Sequence, residues 1–183
     1  MFLDDPHDGG YTGNKEPSLD TSLAGIPSTT LFVCHSGAHG VFDDPYAGAP
    51  NNLDELGQPR KDASCNQVFP RLTSIPVAHK SLVLTSEDNH GQPALTSDHG
   101  VCGGPYNGTL SVDAYDWGFC WRTFDALRNC AYEGKDCEYA LGDTPQNRYI
   151  GTWTDGTPII GLKIQTTAPI RAEPVPPRAP APH

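Results

Sequence analysis

Basic residues are scarce in this chain. Twelve Lys and Arg stand against 22 Asp and Glu, giving a net charge of −10 over 183 residues. No run of basic side chains occurs, which argues against a nucleic-acid or anionic-membrane surface, since both recruit clustered positive charge. There is no uninterrupted apolar run long enough to span a bilayer. The first residues lack the basic and apolar regions of an export signal. No C-x-x-C pair is present, so zinc-ribbon and thioredoxin-like readings have no support. Hydrophobic residues make up only 37% of the chain, enough for one domain with a modest core.

Turn-forming residues and cysteines are what the chain has in quantity. The 19 Gly and 18 Pro amount to about one residue in five, so long ordered loops are expected. Six cysteines fall at positions 34, 65, 102, 120, 130 and 137. An even number in a loop-rich chain suggests disulfides and an oxidising compartment, secreted or periplasmic, with the export signal outside these residues. Cys130 and Cys137 close the shortest loop and are the expected pair. The alternative is buried free thiols.

Residues 1–3 read as the end of a strand, followed by an acidic, Gly-rich loop. Thr29–Cys34 is a β-branched, apolar strand entered through Pro27. Residues 62–73 suggest a short helix interrupted by Pro70. Lys80–Thr85 is the next strand and runs into the His90 loop. Asp113–Ala131 has helical periodicity, with Trp117, Cys120, Trp121, Phe124, Leu127 and Ala131 on one face expected to be core. Gly134 is its expected stop. Arg148–Trp153 and Thr157–Gln165 flank Thr154-Asp155-Gly156, a hairpin signal. A domain over 1–168 is expected, then a Pro-rich disordered tail over 169–183 with six prolines. Strands separated by long crossovers imply an α/β fold with a parallel sheet.

Two segments carry candidate chemistry. Asp5-Pro6-His7-Asp8-Gly9 follows the first strand, and Asp88-Asn89-His90 follows the strand over Lys80–Thr85. Catalytic groups in parallel sheets gather beyond the carboxyl ends of strands. In motif and order, these segments resemble the α/β-hydrolase superfamily, in particular its chlorophyllase-like and secreted esterase-lipase branch. The likeness spans about residues 1–133 and resides in a D-P-x-D-G motif, the histidine loop and the aromatic helix. It implies the C-terminal part of an α/β-hydrolase sheet, to which the sequence's own turn signals add long loops and a C-terminal hairpin. It also implies cleavage of a small-molecule, lipid or polyester ester through a Ser-Asp-His triad. By position, Asp5 would be the acid, with Asp8 as its alternative, and His90 or His99 the base. The family's G-x-S-x-G elbow is missing, so the nucleophile and oxyanion donors would lie outside this chain, and the truncated sheet edge would invite self-association.

Competing readings follow from other residues. His35 and His39 have the i, i+4 spacing of a metal pair, but their segment reads as a Gly-containing loop and no H-E-x-x-H completes it, so neither metal nor cofactor is expected. In that loop the two histidines could instead line a substrate cleft. Ser36 lacks the glycine two residues earlier that an elbow requires. Asn107-Gly108-Thr109 is a glycosylation sequon if a eukaryote secretes the chain. Cysteine count and loop richness also suit a different class, a self-contained disulfide-stapled binding domain without catalysis.

Overall fold

A computed structural model describes residues 1–4, 23–36, 65–97, 101–102 and 111–167. Strands β1 (Phe2–Asp4), β2 (Phe32–Ser36) and β3 (Lys80–Leu84) run parallel. Strand β4 (Lys163–Gln165) lies antiparallel to β3 and completes a four-stranded sheet of order β1-β2-β3-β4. The α/β character expected from the long crossovers is present, in a small mixed sheet. Asp4 pairs with His35 and Ser36 with Leu84, so the parallel strands finish along one edge.

Strand β2 starts at Phe32 because a turn precedes it, closed by the Thr30 amide donating to the Pro27 carbonyl at 3.0 Å. It continues through His35 and Ser36, which the sequence placed in a loop. Parallel neighbours on both sides use the hydrogen-bonding groups of this segment, and that outweighs its polar composition. Alternation along β2 and β3 sends side chains to two covered faces. Val33 and Val83 pack with Phe119, Leu127 and Leu162. Phe32, Cys34, Leu82 and Leu84 pack with Cys65, Phe69 and Leu72.

Helix α1 (Cys65–Val68) ends in a 3-10 turn over Phe69–Arg71. Pro70 stops the α pattern because it has no amide to donate back along the helix. On the opposite face a π turn (Asp116–Trp121) leads into α2 (Arg122–Glu133). Gly134 ends α2 in the left-handed conformation at φ 67°, donating to the Asn129 and Cys130 carbonyls. The buried stripe of this segment is Tyr115, Phe119, Cys120, Thr123, Ala126 and Leu127. The expectation that Trp117, Trp121 and Phe124 are core is therefore corrected: they are 66%, 42% and 60% exposed. Two apolar stripes share Cys120 and Leu127. The one containing the small Thr123 and Ala126 lets the helix approach the sheet closely, and the indoles are turned outward.

The chain from α3 (Pro145–Arg148) onward forms the expected hairpin. The Trp153 amide donates to Thr157 at 2.8 Å and the Ile159 amide to Gly151 at 3.1 Å, with Asp155 and Gly156 at the tip. Three disulfides join Cys34 to Cys65, Cys102 to Cys120, and Cys130 to Cys137, the last being the pair expected from loop length. They tie β2 to α1, residue 102 to the π turn, and the end of α2 to the turn after it. Loop closure of this kind contributes about 2–4 kcal/mol per bridge. Among the described residues no helix is long and apolar enough to cross a membrane.

Gly118 lies in the π turn directly against the strand-like segment at Ile150. A Cβ there would stand 2.1 Å from the Ile150 carbonyl oxygen. Gly118→Ala is expected to lose about 1–3 kcal/mol in urea unfolding through overpacking against backbone. Gly25→Ala, which meets nothing within 4 Å, should stay within about 0.5 kcal/mol of the parent.

Candidate functional site

The loop leaving β3 is built around Asp88. Its backbone pairs with Leu95 in both directions, at 3.0 and 2.9 Å, closing residues 88–95 into a tight loop. Its side chain is 3% exposed. One carboxylate oxygen accepts from the His90 amide at 3.0 Å. The other accepts from the Trp153 indole at 3.2 Å and the Ile160 amide at 2.9 Å. Burial by itself would raise this carboxyl. The donors from Ile160, His90 and Trp153, with the His90 charge, outweigh burial and hold it below the usual carboxylate range. The loop base has a second anchor in Tyr115, whose hydroxyl donates to the Ser86 carbonyl. Burial, reinforced by the charges of Asp88 and Asp113, pushes the Tyr115 phenol well above its usual value, so it stays a donor.

His90 projects from the tip of this loop. Its Nε2 lies 2.8 Å from Asp155 Oδ2, with side-chain exposures of 44% and 56%. The imidazole also lies 5.9 Å from the Trp153 ring, tilted by 48°. Asp155 Oδ1 accepts from the Thr157 amide at 2.9 Å. That amide, then the His90 ring and the Thr157 hydroxyl, lower the Asp155 carboxyl to about 2. The two residues border a cleft of 820 Å³ whose walls include Pro93, Leu95, Val112 and Trp153. Its volume is that of a small-molecule site.

Asp5, Asp8, His39, His99 and Asn107 lie outside the described residues. His35 is placed, and it does not line an open cleft as the loop reading allowed. It is fully buried, 4.9 Å from the Phe119 ring, with Nε2 2.9 Å from the Thr85 hydroxyl. Thr85 in turn shares a hydrogen with Ser97 at 2.6 Å. Among the described residues, no cluster of three or more His, Cys, Asp or Glu could hold a metal.

Asp155 and Trp153 did not emerge from sequence reasoning as site residues. Asp155-Gly156 carries a turn signal, and that signal is satisfied. Nothing local marks the turn as folding back onto a loop 65 residues earlier. No protein-family model, curated protein or solved structure matches this chain. The chemistry of the cleft therefore rests on its own geometry. It contains an imidazole held by a carboxylate, a neighbouring indole and apolar walls, an arrangement suited to proton transfer beside an apolar substrate.

Asp88→Asn would turn an amide NH₂ toward at least one of the three donors. The loss is expected to be about 2–3 kcal/mol, read by urea unfolding, with Trp153 fluorescence shifting toward solvent. A second outcome concerns acid. Folding lowers the carboxyls of both Asp88 and Asp155. The unfolded chain thus binds more protons below their ordinary range, and the stability they contribute above about pH 4 is lost as pH falls. The Asp155 share disappears as pH approaches about 2. Trp153 fluorescence followed from pH 5 to pH 2 should show the hairpin releasing the loop, with a smaller acid response in Asp155→Asn.

Proposed function

We propose that this chain supplies the acid–base histidine of an exported carboxylic-ester hydrolase of the α/β-hydrolase type, whose serine nucleophile lies outside these residues. One observation carries the reading. His90 stands on a loop beyond the carboxyl end of a parallel strand, in an apolar-walled cleft, with a carboxylate on one ring nitrogen. The strand order agrees with the resemblance, since β1, β2 and β3 neighbour one another in chain order. The three disulfides agree with export to an oxidising compartment. Among the described residues β1 is the outer strand on its side of the sheet, and under this reading further strands or a second copy would pair there.

The mechanism follows from the imidazole's two nitrogens. A carboxylate on one fixes the tautomer and stabilises the imidazolium, and the other accepts the serine proton and returns it to the leaving alkoxide. Asp155 holds Nε2, which leaves Nδ1 as the accepting nitrogen in this arrangement. In the Ser-His-Asp template the carboxylate sits on Nδ1 instead. Asp5, one residue beyond β1, is the acid the resemblance assigns, and Asp155 is the carboxylate on the ring here.

The three disulfides also favour a second reading, a stapled binding module that needs no catalysis. The two readings separate on the complete reading frame. Under the hydrolase reading it encodes a G-x-S-x-G strand-turn-helix upstream, and the expressed product cleaves p-nitrophenyl butyrate. His90→Ala should then lower kcat about 10²–10⁴-fold, while His79→Ala leaves it unchanged. Absence of the elbow, or full activity in His90→Ala, would overturn the hydrolase reading.

A further inference from the structure

A second groove, of 560 Å³, lies between the π turn, the start of α2 and the segment around α3. Its walls include Tyr139, Pro145, Tyr149 and Ile150, with Gly118 on the helical side. Gly118 brings the π turn against the Ile150 backbone, since any Cβ there would meet the carbonyl oxygen at 2.1 Å. Among the described residues that line the groove, Arg122 is the only charged one.

Arg122 is half-buried and has no counter-ion among the described residues. Its Nη1 donates to the Tyr149 carbonyl and its Nη2 to the Asn147 carbonyl at 2.8 Å. Its Nε is buried with no hydrogen-bond partner. The ion pairs among the described residues are His90–Asp155, Arg128–Asp125, Lys135–Glu133 and Arg148–Asp143. Each of the other described arginines in such a pair has its own carboxylate, and Arg122 has only carbonyl dipoles. Burial accordingly disfavours its charge and lowers its pKa. A guanidinium has five N–H donors in a planar fork that suits a carboxylate, and the two carbonyls leave donors over. In a chain of net charge −10, an uncompensated cation inside an apolar groove is a local exception.

We propose that this groove binds a small aryl or alkyl carboxylate. The carboxylate takes the remaining N–H groups of Arg122, and the apolar body lies against Tyr139, Pro145, Tyr149 and Ile150. The site does not depend on the hydrolase reading, and no described residue is common to the linings of the two clefts. A purely structural Arg122, stapling α2 to the end of α3, would be indifferent to the charge of a molecule entering the groove.

Phenylacetate and phenylacetamide are matched probes, nearly equal in shape and differing in charge. Calorimetric titration of the intact protein should give saturable one-to-one binding of phenylacetate. Phenylacetamide should bind at least about tenfold more weakly, the factor expected for loss of a charge-assisted hydrogen bond. Arg122→Gln should remove the preference, and Arg148→Gln, at an exposed arginine already paired with Asp143, should keep it. Equal affinity for acid and amide, or no saturable phenylacetate binding at millimolar concentration, would overturn the proposal. The comparison of acid with amide uses the unaltered protein, so it decides the matter even if Arg122→Gln fails to fold.

Discussion

The Asp88 carboxylate joins the two halves of the candidate site. Three donors from three stretches of chain converge on it, two of them from the C-terminal hairpin. Without those donors, a buried carboxylate would cost more than the loop could offset. With them, it fixes where the hairpin lands on the β3 loop. The positions of His90, Trp153 and Asp155 then follow as consequences of one docking event. The charge is stabilising only because every donor is delivered, and that makes the loop and hairpin a single cooperative unit.

Around that unit the sheet acts as a platform of limited area. Strands β2 and β3 are buried on both faces, each face covered by a different helical segment and each sealed by a disulfide. Cross-links compensate for a hydrophobic content of only 37%. The exposed pair Trp117 and Trp121, with ring centroids 4.3 Å apart, shows the same economy, since the sheet has room for only one of the helix's apolar stripes.

The polar interior is placed with equal selectivity. His35 and Thr85 sit on adjacent parallel strands or their continuation, where the register brings ring and hydroxyl together. Lys80 shows the same pattern at the other end of β3, donating to the Leu72 carbonyl at 2.7 Å above the Phe69 ring. These two buried groups find partners on neighbouring elements, while Asp116 Oδ1, Thr123 Oγ1 and Asn147 Oδ1 are buried without one. Arg122 combines the two cases: two of its nitrogens reach backbone carbonyls, its Nε reaches nothing, and no described carboxylate pairs with it.

Local composition determined a good deal. A β-branched, apolar run marked β2 and a short apolar run β3, Pro70 marked the end of α1, Gly134 the end of α2, Asp155-Gly156 the hairpin tip, and loop length the Cys130–Cys137 bridge. Each is a property of a few neighbouring residues, and backbone sterics read it directly. The place of His90, just past a strand, was legible for the same reason, whereas its choice over His99 as a base was not. The partner on its ring was not. Tertiary structure alone decided that β4 runs antiparallel, that Phe119 and not Trp117 faces the sheet, and that Asp155 meets His90. Those outcomes depend on which surfaces compete for burial and on where a buried charge finds its donors. These are sums over residues distant in sequence, so no local pattern carries them.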